Sequence, residues 1–592
     1  MAVTKKVNLY KVANDYIEKI LASDRGENST SIRVLLLDKD TAPIISLVST
    51  QSNLLKKEVY LVERLESETR DKLRNLKCIC FLKPSDLTIT KLAQEINNPK
   101  YSSYDIYFNN VISKSRLERL AEADDLEIVH KVVEVFQDYY VLNKSFFTAT
   151  NAPNPLLASP AIGWDPAAFQ SSIDSLLSFI LSLNIKPTIR YENNSKMAFK
   201  LANAMKYEIE SSNSQLFDNI MPRSNTEPMV LILDRKNDPI TPLLFPWTYQ
   251  SMIHEMLTIN NTNNTVDLSH LSSVGEELKT VIMNEIQDPF YEKCMYSNFG
   301  DLSSRLKEYV DDYKQKTKTN SNISSIKDMK FFLENYPEFK KISLNLSKHM
   351  LLTSEIDKQI HQKRIWETSE FEQDMCSTPD LSHHDSDLQE LERFLHDKAS
   401  RDGTINKSIP EDEKLRLLSL YAIKYENHAS CKTKDLLETL NNPKFSSFIP
   451  LLLKYCGSQA RMVGEEGQIF NKLGNNGGST NQVAALFNNF SRNSNSDNAY
   501  MQHQPRLVNV LQRLLKTKTG LSDSLFPSVN TNNTTAKVPR DVVVFVIGGV
   551  CYEEVRFVYE LNQNNEDFNI MIGGTNTLNS NTFINNLIDS ST

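Results

Sequence analysis

Met229-Val-Leu-Ile-Leu-Asp234 is an unbroken apolar run closed by an aspartate, and Asp541-Val-Val-Val-Phe-Val-Ile547 repeats that character far downstream. Runs without polar alternation read as strands of a parallel sheet covered on both faces. The segment between them, from about 245 to 515, reads as largely helical. After 541–547 come a helix over Glu553–Leu561, a strand Phe568-Asn-Ile-Met-Ile572 and a last helix from near Asn581. These late units hold too few strands for a domain of their own. They are expected to rejoin the sheet of Met229–Asp234, which makes the helical region an insertion in a split α/β domain.

The alternation continues toward the N-terminus. Arg33-Val-Leu-Leu-Leu-Asp38, Glu58-Val-Tyr-Leu-Val62, Lys77–Leu82 and Tyr104-Asp-Ile-Tyr-Phe108 read as strands, with helices through Ile44–Leu55 and Asp86–Ile96 between them. Helices over 166–183 and 195–212 lead into Met229–Asp234, and the proline-rich Asn151–Pro160 reads as a boundary. The expected division is an N-terminal α/β domain over 1–150, a split α/β domain over 151–244 and 516–592, and a mainly helical domain over 245–515. Asn260–Thr265 and Gly474–Asp497 are expected as flexible loops, and Ser377–Asp387 as a mobile polar insertion.

Composition narrows the function. Of the 592 residues 40% are hydrophobic and 24% charged, the balance of an ordinary globular chain. A net charge of -8 argues against a nucleic-acid binder, which needs a basic stripe to displace counterions, and against unspecific adhesion to anionic membrane. Seven scattered cysteines with no Cys-x-x-Cys pair indicate reduced, buried thiols and neither a disulfide framework nor a zinc site. Cys78 and Cys80 alternate on a strand and share its face. The first residues form an amphipathic helix without a signal-peptide core, and Ala2 and the closing Ser-Ser-Thr exclude the common lipid anchors. No window holds the ~18 apolar residues of a membrane span. A cytoplasmic protein that meets membranes only through partners is expected.

Two turns invite a chemical reading. Gly548-Gly549 and Gly573-Gly574-Thr575 follow strand ends, where glycines bring backbone N–H groups to phosphates, although neither completes a dinucleotide or P-loop motif. Asp234-Arg-Lys-Asn-Asp238-Pro-Ile-Thr-Pro242 pairs aspartates beside Arg235, residue types that hold a metal or a phosphate. The plainer alternative is structural: glycines for positive-φ turns, and aspartates accepting backbone N–H bonds. A nucleotide-binding or phosphoryl-transfer enzyme using the glycine turns is the competing function, and an adaptor for coat components a weaker one. The ten histidines are scattered, and His383-His384 reads as solvated loop. No nucleophile–base pair, cofactor motif or metal-ligand set is found.

Glu227–Glu255, built around Asp-Arg-Lys-Asn-Asp-Pro-Ile-Thr-Pro-Leu-Leu, closely resembles a signature of the SM family of syntaxin-binding SNARE chaperones. So do Val543–Val555 and the run from Leu35-Leu-Leu-Asp38 through Gln51 to Lys57-Glu-Val-Tyr-Leu61, all three nearest the family's vacuolar-protein-sorting branch. The resemblance implies an α/β plus all-α arch of three domains, the second split around the helical third. It also implies a non-enzymatic, monomeric protein without cofactors. Such a protein grips a syntaxin-type SNARE and the assembled SNARE complex, with a Rab effector as a further partner.

Two sites follow from the resemblance. A pocket for a syntaxin's extreme N-terminal peptide matches Ile112, Leu117, Leu120, Val129, Val132 and Glu134. From the residues alone, Lys114–Ala123 is an amphipathic helix and Ile128–Val135 a strand, and these side chains read first as filling the domain's own core. A hairpin that holds SNARE helices matches about Leu302 to Ile360, with Phe331, Leu333, Tyr336, Pro337 and Phe339 at its bend. In the family the helix straightens there to expose the template, whereas the residues alone also allow a plain loop at Pro337. Gly548-Gly549, Asp234, Arg235 and Asp238 match family positions of structural character.

Overall fold

The computed structural model describes residues 6–22, 32–150, 164–221, 226–271, 274–321, 326–396, 408–462, 469–470, 499–516, 521–529 and 538–590, with backbone only for 313–339 and 516. Asn151–Pro160 and Gly474–Asp497 lie outside these residues.

The chain opens with α1 (Leu9–Ile20), capped by Asn8, whose side chain accepts the Tyr10 and Lys11 amides. Next come β1 (Arg33–Leu37), α2 (Thr41–Val48), α3 (Gln51–Lys56), β2 (Val59–Arg64), β3 (Leu73–Leu82), α4 (Asp86–Asn97), β4 (Tyr101–Phe108), α5 (Lys114–Glu122) and β5 (Val129–Glu134). The five strands form a parallel sheet in the order β2-β1-β3-β4-β5. The interior strand β1 is buried throughout, whereas the edge strand β5 has no fully buried residue. Cys78 and Cys80 lie on one buried face with their sulfurs 3.8 Å apart, and burial raises the Cys78 thiol pKa.

The second unit adds β6 (Tyr139–Asn143), β7 (Phe146–Ala149), α6 (Pro166–Ser182), β8 (Thr188–Tyr191), α7 (Lys196–Tyr207), α8 (Ser214–Asp218) and β9 (Met229–Asp234). Ser195 caps α7 by accepting the Ala198 amide, and Asp165 caps α6 ahead of Pro166, each worth about 1 kcal/mol.

The helical region comprises α9 (Tyr249–Leu257), a two-stranded ribbon of β10 (Thr265–Asp267) and β11 (Thr280–Ile282), α10 (Pro289–Cys294), α11 (Phe299–Ser321), α12 (Ile326–Lys363) and α13 (Ile365–Cys376). It continues with α14 (His384–Leu395), α15 (Glu411–Lys424), α16 (Thr433–Leu440), α17 (Pro443–Cys456) and α18 (Arg506–Lys516). Last come β12 (Asp541–Ile547), β13 (Val550–Cys551), α19 (Tyr552–Asn564), β14 (Asn569–Gly574), β15 (Thr577–Leu578) and α20 (Ser580–Asp589).

The late strands do rejoin the sheet. Its order is β6-β7-β14-β12-β9-β8, with β12 parallel to both β9 and β14. Val542–Ile547 are all buried, and each such side chain removed from water contributes about 1.5–3 kcal/mol.

Three expectations need correction. Residues 139–149 sit in the second sheet and not the first: β6 and β7 form an antiparallel hairpin whose Phe146–Thr148 pair with Ile572–Gly574. Hydrogen bonding to a strand far downstream overrides proximity in sequence. Asn260–Thr265 is a tight turn into β10, tied down by buried Asn264, whose side-chain amide donates to the Leu142 carbonyl. His384 is no solvated loop residue: it starts α14, is buried, and its Nε2 lies 2.9 Å from the Tyr421 hydroxyl.

Candidate functional site

The segment after β9 is a turn whose polar groups are consumed within the protein. Asp234 accepts from the Lys236 amide at 3.1 Å and the Ser195 hydroxyl at 2.5 Å. Asp238 accepts from the Thr241 amide at 3.2 Å, the Thr241 hydroxyl at 2.8 Å and the Arg506 amide at 3.1 Å. Arg235 is 1% exposed and reaches the other half of the split domain, donating to the Gly549 carbonyl at 3.1 and 2.9 Å and to Glu554 at 2.5 Å. Burial works against the Arg235 charge, and the carboxylate of Glu554 more than restores it.

Gly548 and Gly549 have φ of 95° and 105°, in the region that only glycine visits freely. A Cβ on Gly549 would also lie 2.3 Å from the Asn576 side chain. Gly573 backs onto the ring of Phe147, 2.2 Å from where a Cβ would stand. The Gly548-Gly549 turn is therefore filled by the protein's own groups, and Gly573-Gly574, expected as a second turn, instead forms the end of strand β14, paired with Phe147 and Thr148, which removes the support for a phosphate cradle. Among the described residues no group of three or more His, Cys, Asp or Glu is placed to hold a metal.

The N-terminal pocket residues come together where α5 lies beside the open edge of the first sheet. Leu120 is 4% exposed and belongs to the core with Ile89, Leu92 and Ile106, and Ile112 and Val129 pack against that core. Leu117, one turn earlier on α5, is 41% exposed, and Val132 is 37% exposed. Val132 and Glu134 pair with Ile106 and Phe108, so strand alternation turns both to the face that α5 covers. Glu134 accepts the Ile112 amide at 2.8 Å, which fixes the rim of the crevice. Leu120 is thus buried in the core, and Leu117 and Val132 are apolar groups left exposed above it. Sequence reasoning missed Leu126 and Val133, exposed apolar neighbours on the turn into β5 and on its opposite face. The signal for Val133 was the adjacent apolar pair Val132-Val133 on an edge strand, which one-sided burial does not explain.

The hairpin residues fall in α12. The backbone is helical from Ile326 to Lys363, so Pro337 lies inside a helix and not in a loop between two. The side chains of Phe331, Leu333, Tyr336, Pro337 and Phe339 lie outside the described residues. Helix α11 packs along α12 as the expected hairpin partner. The part of α12 with described side chains is anchored through buried Leu352, Ile356 and Ile360.

Two mainly parallel sheets joined to a large helical insertion, with the motif turns satisfied internally and exposed apolar groups beside α5 and a long helical pair left over, define a protein-binding scaffold. The chain belongs to the Sec1 family, whose profile matches residues 33–586. It is 39% identical over 603 residues to vacuolar protein sorting-associated protein 45 of Saccharomyces cerevisiae, covering 98% of this chain and 99% of that one. The Homo sapiens protein of the same name is 36% identical, covering 99% and 96%. The structure superposes with a TM-score of 0.85 on the SM protein Vps45 solved in complex with the Qa SNARE Tlg2, at 37% identity over 98% of both chains. The Unc18 protein of Monosiga brevicollis, 19% identical with a TM-score of 0.75, shares the fold. Among the described residues no helix is long and apolar enough to cross a membrane.

Proposed function

We propose that this chain is a non-enzymatic regulator of vesicle docking and fusion. It binds a syntaxin-type SNARE by its N-terminal peptide in the α5–β5 crevice and templates SNARE assembly on the α11–α12 hairpin. The observation that carries the reading is the crevice, where Leu117 and Val132 stay exposed above a completed core. A buried apolar anchor there gains about 1.5–3 kcal/mol. Relatives similar over nearly the whole chain, one of them solved with a Qa SNARE, support the same partner class here. The division of labour follows three domains: the first sheet for the peptide, the split sheet as frame, the helical insertion for the SNARE helices. We place the activity on the cytoplasmic side of Golgi, endosomal or vacuolar membranes, reached through partners that include a Rab effector, with the chain acting as a monomer.

The test is capture of this chain on immobilised cytosolic syntaxins, each with and without its N-terminal peptide. Selective capture by an endosomal or trans-Golgi syntaxin that depends on the peptide is the expected result. Capture by none of the panel overturns the proposal.

A further inference from the structure

Asp288 stands between α10 and α12, and its two carboxylate oxygens do different things. Oδ1 caps α10, accepting the Phe290 and Tyr291 amides at 3.1 Å each. Oδ2 faces α12, where it takes both the Lys348 ammonium and, at 2.8 Å, His349 Nε2. His349 Nδ1 lies 2.8 Å from the Tyr249 hydroxyl on α9, and Lys348 Nζ also donates to the Ile282 carbonyl on β11 at 3.0 Å. Asp288, Lys348, His349 and Tyr249 are all buried. The segment leading to Asp288 is mounted on the first two units: Asn284 donates to the Leu47 carbonyl at 3.0 Å, and Glu285 accepts the Lys144 amide at 3.0 Å.

We propose that Asp288 is a positioning residue for α12, setting the direction in which the SNARE-holding hairpin projects; this rests on the hairpin function proposed above. Successive side chains on a helix leave its axis about 100° apart, so two of them converge on one oxygen at only one rotation and height of the helix. The apolar contacts of Leu352, Ile356 and Ile360 are non-directional and supply adhesion without that constraint. Leverage makes the constraint matter. Pro337 lies roughly 18 Å along the helix from His349, so a tilt of about 10° at the clasp displaces it by about 3 Å. A shift of that size misplaces one helix surface against another, where side chains interdigitate.

Asp288→Asn in the full chain separates the two roles, because the amide oxygen still caps α10 while the group facing Lys348 and His349 loses its charge. Three readouts decide: hydrogen exchange along α12, affinity for the syntaxin N-terminal peptide, and affinity for the syntaxin SNARE-motif helix lacking that peptide. The expected result is about tenfold faster exchange in α12 and about tenfold weaker binding of the helix, with peptide affinity unchanged. Tyr249→Phe, which removes only the partner of His349 Nδ1, moves both α12 readouts the same way by about twofold. Unchanged exchange or unchanged helix affinity in Asp288→Asn overturns the proposal, as does a parallel loss of peptide binding, which marks Asp288 as merely structural. If the wild-type chain takes up no SNARE-motif helix, the hairpin function is what fails, and exchange at α12 still decides the clasp.

Discussion

Leu117 and Leu120 are one helical turn apart and have opposite surroundings. Leu117 is half-exposed, so Leu117→Arg is expected to leave the thermal midpoint within about 1 °C. Losing its apolar anchor weakens peptide binding by at least about tenfold, measured by calorimetric titration. A large drop in the midpoint would make Leu117 a core residue and remove it from the crevice. Leu120→Ala should instead cost about 2–5 kcal/mol, because it leaves a hole beneath Ile89 and Leu92. Arg235 is a third kind of residue. Replacing it by Met strands the Glu554 carboxylate and the Gly549 carbonyl in the interior, at a cost of about 3–5 kcal/mol read from urea unfolding. A neutral outcome would mean that the two halves of the split domain hold together without this bridge. The amphipathic spacing of Leu117 and Leu120 was legible in the chain, but which of the two meets water was not, since a helix face has no sign until its neighbour is known.

At the scale of elements, α12 is the informative one. A proline in a helix interior lacks the N–H that would bond one turn back and costs about 3 kcal/mol. Pro337 nevertheless falls inside an unbroken helix of 38 residues. Pro337→Ala restores that bond, so a straighter, more stable helix and faster SNARE assembly are expected in a reconstituted fusion assay. An unchanged rate would count against a switch at this position. The regular elements were largely readable: Met229–Asp234 as a strand, α4 and α5 as helices, Asp541–Ile547 as a buried strand. What misled was local polarity. Asn260–Thr265 and His383-His384 are hydrophilic enough to read as free loop, yet Asn264 and His384 are buried on partners distant in sequence.

At the scale of the whole molecule, several charges are buried together inside the helical insertion. Arg416 sits among Glu372 at 2.7 Å, Glu413 at 2.6 Å and Glu255 at 3.8 Å, more carboxylate than one guanidinium neutralises. Burial pushes Glu372 up to about 7, with Arg416 opposing and Glu413 reinforcing the shift. The folded state therefore holds a proton that the unfolded chain, titrating near the ordinary 4.5, has released. Stability from this group rises as pH falls from about 7 toward 4.5 and is lost as pH rises through 7. The thermal midpoint of the wild type, relative to Glu372→Gln, should accordingly climb between pH 8 and pH 5. A difference that does not change with pH would show Glu372 already ionised throughout.

The sequence by itself determined the long apolar strands, most of the helices around them, the insertion of a helical region into a split sheet, and the absence of any complete catalytic motif. These are local matters: apolar periodicity fixes what a segment buries, and long motifs fix which segments belong together. Only the tertiary structure decided that residues 139–149 join the second sheet, that Arg235 closes the split by holding Gly549, and that Asp288 clasps α12. Each of these depends on a hydrogen bond or ion pair between residues far apart in the chain. A buried polar group must find a partner wherever the fold brings one, and sequence spacing carries no record of where that is.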